Sequence, residues 1–181
     1  EQIQFNNCQA GGNIRRRGEE IQQGQLLLEA GTRLRAQEIG LLASQGYAEV
    51  EVYTPLRIGL ISSGNELREL GQPLKPGQIY DINSYSLNAL LQGLGFQVTL
   101  YAKMPDDLQQ SSDCLAKAST EQDVLISSGG VSVGEEDHLK NAVSALGQLN
   151  LWRVAIQPGK PLAFGRVGNT PWIGLPGNPA A

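Results

Sequence analysis

Beyond Pro55 the chain alternates short apolar runs with amphipathic stretches. Arg57-Ile58-Gly59-Leu60-Ile61 reads as a buried strand, followed by a turn-rich loop from Ser62 to Asn83. Leu87, Leu90, Leu91 and Leu94 then recur at i, i+3, i+4 and i+7, the spacing of one helical face, and Gly95 closes that helix. Phe96 to Tyr101 reads as the next strand, and a weaker helical pattern runs from Leu108 to Ser119 before the apolar run Asp123-Val124-Leu125-Ile126. Leu139, Ala142, Val143 and Leu146 mark a further amphipathic helix, and strands are predicted at Leu151 to Ile156, Leu162 to Arg166 and Trp172 to Leu175. Strand, loop and helix repeating in this order predict an α/β fold: a three-layer, doubly wound, mainly parallel sheet over residues 55–181. The last strand runs into Pro176-Gly177-Asn178-Pro179, where such a domain would open another helix to cover one sheet face.

Residues 1–54 have another texture. Polar, Gln-rich stretches surround a strand candidate at Leu26-Leu27-Leu28 and a helix candidate from Ala36 to Gln45, which Gly46 would end in a left-handed turn. Glu49-Val50-Glu51-Val52-Tyr53 alternates as a half-buried strand does. This part is expected to be a small, partial β-rich segment or linker domain preceding the α/β domain. The chain starts at Glu1 and stops at Ala181 straight after a loop motif, which reads as a piece of a longer protein.

Composition narrows the function. A formal net charge of −4 lacks the basic footprint of a nucleic-acid binder; the one dense basic run, Arg15-Arg16-Arg17, is followed by Glu19 and Glu20. Cys8 and Cys114 belong to no metal-ligand spacing, which sets aside a zinc site or disulfide framework and fits a reducing cytoplasm. No apolar run reaches membrane-spanning length.

The candidate chemistry lies in loops. Ser127-Ser128-Gly129-Gly130-Val131-Ser132-Val133-Gly134 follows a strand and precedes a helix, an arrangement that turns backbone N–H groups toward an anion. Glu135, Glu136 and Asp137 at its far end could hold a divalent cation against a phosphate. In a parallel sheet this loop meets Ser62-Ser63-Gly64-Asn65-Glu66, Asp81-Ile82-Asn83-Ser84, Met104-Pro105-Asp106-Asp107 and Pro176 to Pro179 at the carboxyl edge. Each has a bland alternative. Asp81 or Asn83 alone is best read as a helix N-cap, Asp106 and Asp107 as helix-start residues, and Glu66 as a solvated turn residue. Their convergence is what favours a ligand site. Pro158-Gly159-Lys160-Pro161 stiffens the backbone around one lysine, which could face an oxyanion. His138, the only histidine, reads as a helix-surface residue.

Taken together, Asn13 to Glu20 (NIRRRGEE), Ser62 to Leu67 (SSGNEL), Gly77 to Asn83 (GQIYDIN), Ser127 to Asp137 (SSGGVSVGEED), Pro158 to Pro161 (PGKP) and Leu175 to Pro179 (LPGNP) resemble the molybdopterin molybdotransferases, the MoeA and gephyrin E-domain family. These ordered matches cover residues 11–181 and are specific as a set, whereas one glycine-rich loop would be weak. The resemblance implies an enzyme of molybdenum cofactor biosynthesis that takes adenylylated molybdopterin and molybdate, uses Mg2+, inserts the metal and releases AMP. Carried over by motif, Glu66 and Asp137 would be metal-associated catalytic carboxylates, and Asp106 a further catalytic carboxylate. Substrate would be bound by Ser62, Ser63, Gly64, Asn65, Asp81, Asn83, Ser127, Ser128, Gly129, Gly130, Ser132, Gly134, Lys160, Pro176, Gly177, Asn178 and Pro179. The family pattern also implies a homodimer whose active sites form between subunits, and domains beyond those this chain carries.

Two positions depart from the pattern: Asn65 stands where many relatives carry aspartate, and Ser63 where threonine is usual. Asn65 removes a negative charge and so bears on metal affinity. Two other readings compete. A molybdopterin adenylyltransferase shares the α/β architecture and a similar glycine-rich loop, but the NIRRRGEE segment argues against it. A non-catalytic scaffold that kept the fold is the other.

Overall fold

The computed structural model describes residues 2, 9–101, 103–104, 107–130, 138–152, 154 and 162–178. The chain divides into two compact units, Glu1–Tyr53 and Thr54–Ala181.

In the first unit the regular element is α1 (Ala36–Ser44). Glu38 fixes its start: its carboxylate accepts from the Arg35 backbone N–H at 2.9 Å and from the Arg35 guanidinium at 2.6 Å. The Arg35 side chain and backbone N–H hold the Glu38 carboxyl down at about 2. The predicted stop is in place, with Gly46 at φ +81°. The predicted strands at Leu26–Leu28 and Glu49–Tyr53 do not form ladders. Alternation alone cannot make a strand without a neighbouring backbone to pair with, and Val52 and Tyr53 stay exposed. Residues 14–20 form a solvated turn in which Arg15 pairs with Glu20 at 2.8 Å and Glu19 accepts from the Arg16 N–H.

The second unit is built on a six-stranded sheet. In chain order its elements are β1 (Arg57–Ser62), β2 (Leu67–Arg68), β3 (Ile79–Tyr80), α2 (Ile82–Gly93), β4 (Gln97–Leu100), α3 (Leu108–Glu121), β5 (Val124–Ser128), α4 (His138–Leu146), β6 (Gly147–Trp152), β7 (Ala163–Val167) and β8 (Thr170–Leu175). The sheet runs β4-β1-β5-β8-β7-β6. β4, β1, β5 and β8 are parallel, β7 runs against them, and β6, antiparallel to β7, shares their direction.

Side-chain alternation divides the core between the two faces. Ile61, Leu125 and Trp172 pack with Leu115 and Ala118 of α3 and Leu139, Ala142 and Val143 of α4. Ile58 and Leu60 point the other way, onto Leu91 and Leu87 of α2. On β6 and β7, Phe164 pairs with Leu151 and Ile173 across the ladders, and Phe164 and Leu151 are exposed.

Three details differ from the hydrophobic pattern. The loop after β1 contains β2 and β3, a two-residue parallel pair too short to carry periodicity. β6 begins at Gly147 straight after α4 rather than at Leu151, because antiparallel pairing of Gly147 with Val167 decides its register. In α2, Leu91 is buried but Leu90 and Leu94 are 60% and 55% exposed. The helix is rolled so that Ser84 and Asn88 also face inward, Ser84 bonding Ser62 and the Asn88 side-chain oxygen lying buried.

A charged clamp aligns the amino ends of β1 and β5. Asp123 accepts from the Arg57 backbone N–H at 2.8 Å and from its guanidinium at 3.2 and 2.8 Å, and the Asp123 N–H donates back to the Arg57 carbonyl. The Arg57 side-chain and backbone bonds hold the Asp123 carboxyl at about 2, against an ordinary 3.8. A carboxyl depressed on folding stabilises above its unfolded value and loses that contribution as pH falls through its folded value. Thermal melts of Asp123→Asn against the parent should therefore differ at neutral pH and converge as pH falls from about 4 toward about 2. Glu38 titrates over the same range in both proteins, so the difference between the curves isolates Asp123.

Candidate functional site

Chain connections place the site before any side chain is considered. From β1 the chain crosses by α2 to β4 at one edge; from β5 it crosses by α4 toward the far edge. Neighbouring parallel strands whose connections leave in opposite directions open a crevice at their carboxyl ends. Here that crevice lies between Ser62-Ser63, leaving β1, and Ser128-Gly129-Gly130, leaving β5. The end of β8 joins it through the β5–β8 ladder.

The converging loops are stitched together by hydrogen bonds. The Ser63 N–H donates to the Ser128 carbonyl at 3.2 Å, and the Gly129 N–H to the Leu175 carbonyl at 3.1 Å. Met104 joins from the β4 side, its N–H donating to the Ser62 carbonyl at 2.9 Å. Gly129 has φ +82°, and a Cβ there would stand 2.6 Å from the Ser63 carbonyl oxygen, so only glycine lets the two turns approach this closely. Gly64, at φ +144°, is covered by the Glu66 carboxylate, which a Cβ would meet at 2.5 Å.

Side chains add a second set of ties. Asp81 caps α2, as the bland reading expected, accepting from the Ser84 N–H at 3.1 Å. Its other oxygen accepts from the Ser62 hydroxyl at 2.5 Å, and Ser62 also bonds the Ser84 hydroxyl. Asn83 is no cap. Its side-chain amide donates to the Ser128 hydroxyl at 2.6 Å and to the Gly177 carbonyl at 2.8 Å, tying the loops after β5 and β8 to the start of α2.

The candidates thus divide into an inner, hydrogen-bonded layer and an outer rim. Ser62, Ser63 and Ser128 are buried, while Asn65, Glu66, Gly177 and Asn178 are exposed and Gly64, Gly129, Gly130 and Pro176 half-buried. Ser127 belongs to neither: it is fully buried, and its hydroxyl accepts from the Trp172 indole at 3.1 Å. Strand alternation turns its side chain into the core behind the crevice, so of the expected substrate-binding residues Ser127 presents no side chain to the crevice. Asp106, Ser132, Gly134, Asp137, Lys160 and Pro179 lie outside the described residues, as do Glu135 and Glu136. Among the described residues no three His, Cys, Asp or Glu side chains gather as a metal site. Glu66 is the one described member of the expected metal pair, and the Asp81 oxygens are already engaged. Sequence reasoning did not assign Ser84 to the site, although its place three residues after a capping aspartate was a usable signal. Arg68 and Lys103, at the same sheet edge, were also missed.

The chain matches the family model described as "Probable molybdopterin binding domain" over residues 59–181. Residues 1–46 match the model of the MoeA N-terminal region, domains I and II. A curated relative, the molybdopterin molybdenumtransferase of Haemophilus influenzae, is 44% identical over 93% of this chain and 42% of its own length. The protein of that name from Nostoc is 39% identical over 94% of this chain and 40% of its own. Among solved structures, a molybdopterin biosynthesis MoeA protein from Pyrococcus superposes with a TM-score of 0.76 at 36% identity, covering 90% of this chain and 40% of that one. The chain therefore spans about two fifths of the length of these relatives.

The Asn83 ties make a stability prediction. Asn83→Ala removes two bonds and should cost about 1–3 kcal/mol in denaturant unfolding, with faster amide exchange at Gly129. Asn83→Asp should be worse at neutral pH, since a carboxylate would face the Gly177 carbonyl oxygen without a donor. Gly129→Ala, forced against Ser63, should cost about 1–3 kcal/mol or more by the same measurement.

Proposed function

This chain belongs to the MoeA-type molybdopterin-binding family, and on that premise we propose that it supplies the molybdopterin-binding wall of a cytoplasmic molybdopterin molybdenumtransferase. The observation that carries the reading is the convergence of the SSGNEL, YDIN, SSGG and LPGN segments on one crevice at the topological switch point. The match to the MoeA N-terminal region favours this activity over a molybdopterin adenylyltransferase.

On this reading the substrate is adenylylated molybdopterin, and molybdate is the co-substrate. The turns after β1 and β5 form one rim facing the pterin phosphate region, with Pro176 to Asn178 as the opposite rim. Asn83 and Asp81 act by holding the loops, because their polar atoms are spent on protein partners. Glu66, on the exposed rim, is free to reach a ligand. The resemblance assigns Asp106 and Asp137 to the reaction alongside it, with Lys160 offsetting anionic charge and Ser132 and Gly134 completing the phosphate turn. Mg2+ would supply charge neutralisation at the pyrophosphate; the described residues offer Glu66 alone toward it. A homodimer is part of the same proposal, as the family pattern builds its sites between subunits.

The test uses the complete protein with adenylylated molybdopterin, magnesium and molybdate, following AMP release. Molybdate-dependent AMP release supports the proposal, whereas ATP consumption with plain molybdopterin points to the adenylyltransferase. Binding without turnover would instead indicate a scaffold. Glu66→Gln should lower turnover by roughly 100-fold or more, the scale of a removed catalytic carboxylate. Asp137→Asn should abolish AMP release with an unchanged circular dichroism spectrum.

A further inference from the structure

A cavity of about 440 Å3 opens between β2, the first turn of α2 and the residues that leave β4. Its polar lining includes Arg68, Glu69, Asp81, Ser84 and Lys103. The negative charge of Asp81 is already met by the Ser62 hydroxyl and the Ser84 N–H. Arg68 Nε has no such partner, and neither cation forms an ion pair among the described residues. The ion pairs formed among the described residues are Arg15–Glu20, Arg35–Glu38 and Arg57–Asp123, none of which involves Arg68 or Lys103.

Both cations are nevertheless held in place. Lys103 donates to the Leu67 carbonyl at 2.6 Å and the Asn65 carbonyl at 3.4 Å, which pins its ammonium beside β2 without neutralising it. Arg68 Nε is enclosed and has no hydrogen-bond partner. A charged donor removed from water without an acceptor is costly, and a guanidinium fork is shaped to take paired oxygens. An ammonium supplies a second point charge, while the Ser84 hydroxyl stays committed to Ser62.

We propose that Arg68 and Lys103 form a binding subsite for a small tetrahedral oxyanion, next to the crevice and sharing Ser62 and Asp81 with it. The subsite stands on the cavity and its charges and does not depend on the reaction assigned above. Phosphate, sulfate and molybdate share the chemistry that would be recognised.

Calorimetric titration of the protein with each of the three anions, at constant ionic strength in chloride, tests this. Saturable binding is expected for at least one of them, weakened roughly 10-fold or more in Arg68→Met and in Lys103→Met. Glu69→Gln, which removes a lining carboxylate, should tighten it several-fold and serves as the decisive variant if the Arg68 substitution unfolds the protein. A preference for molybdate would identify the ligand as the co-substrate, while equal binding of all three would indicate a general oxyanion subsite. No saturable binding, or titrations unchanged in both Arg68→Met and Glu69→Gln, would overturn the proposal. Because binding is read directly, an inactive enzyme that still takes the anion separates this inference from the assigned reaction.

Discussion

The parallel ladder between β1 and β5, running from Ile58 opposite Val124 to Ser62 opposite Ser128, governs the rest of the second unit. Its register puts two Ser-Ser pairs side by side at the carboxyl end, and the chain leaves them in opposite directions. A slip of one residue would exchange every inward and outward side chain. A slip of β1 would take Ile61 out of the core formed with α3 and α4, and a slip of β5 would take out Leu125 and part Ser127 from Trp172. Arg57 and Asp123 lock the amino end of the same ladder. The crevice is thus a consequence of register, with a clamp at one end and the loops at the other.

At that carboxyl end the backbone must turn sharply from several strands within a small volume, and buried polar atoms must find partners there. Short polar side chains meet both needs. Serines and one asparagine reach across gaps that larger residues would fill, and glycine allows the contact of Gly129 with Ser63. The α2 helix is subordinate to this network. Asp81 and Ser84 bind Ser62, so α2 is rolled toward its polar positions and leaves Leu90 and Leu94 in water. Local hydrophobic pattern therefore yields to a polar tie at this point.

That trade explains how much was legible beforehand. Long apolar runs and clean periodicities announced the parallel strands and the three helices that cover the sheet, since burial is a property of many residues at once. The meeting of the loops was legible for the same reason: parallel strands send their carboxyl ends to one edge. The roles of single polar residues were harder to read. Nothing in the order Ser127-Ser128 says that the first serine faces Trp172 and the second Asn83; strand alternation decides it only once the register is known. Asn83 looked like a cap because caps are common, whereas its partner Gly177 lies 94 residues away. Strands of two residues, such as β2 and β3, carry too few positions for a pattern.

The inner layer has a chemical consequence. Ser62 commits its hydroxyl proton, and Ser63 and Gly129 their N–H groups, to other protein atoms. An anionic ligand entering the crevice cannot take those groups without breaking bonds that hold the loops together, at about 1 kcal/mol or more each. Its charge must be met from the rim or from cations nearby. Positive charge at this edge without an ion-pair partner, among the described residues, resides on Arg68 and Lys103. The same bonds that give the crevice its shape thereby divide the work: serines, Asp81 and Asn83 preserve geometry, and charge compensation falls to groups outside their network.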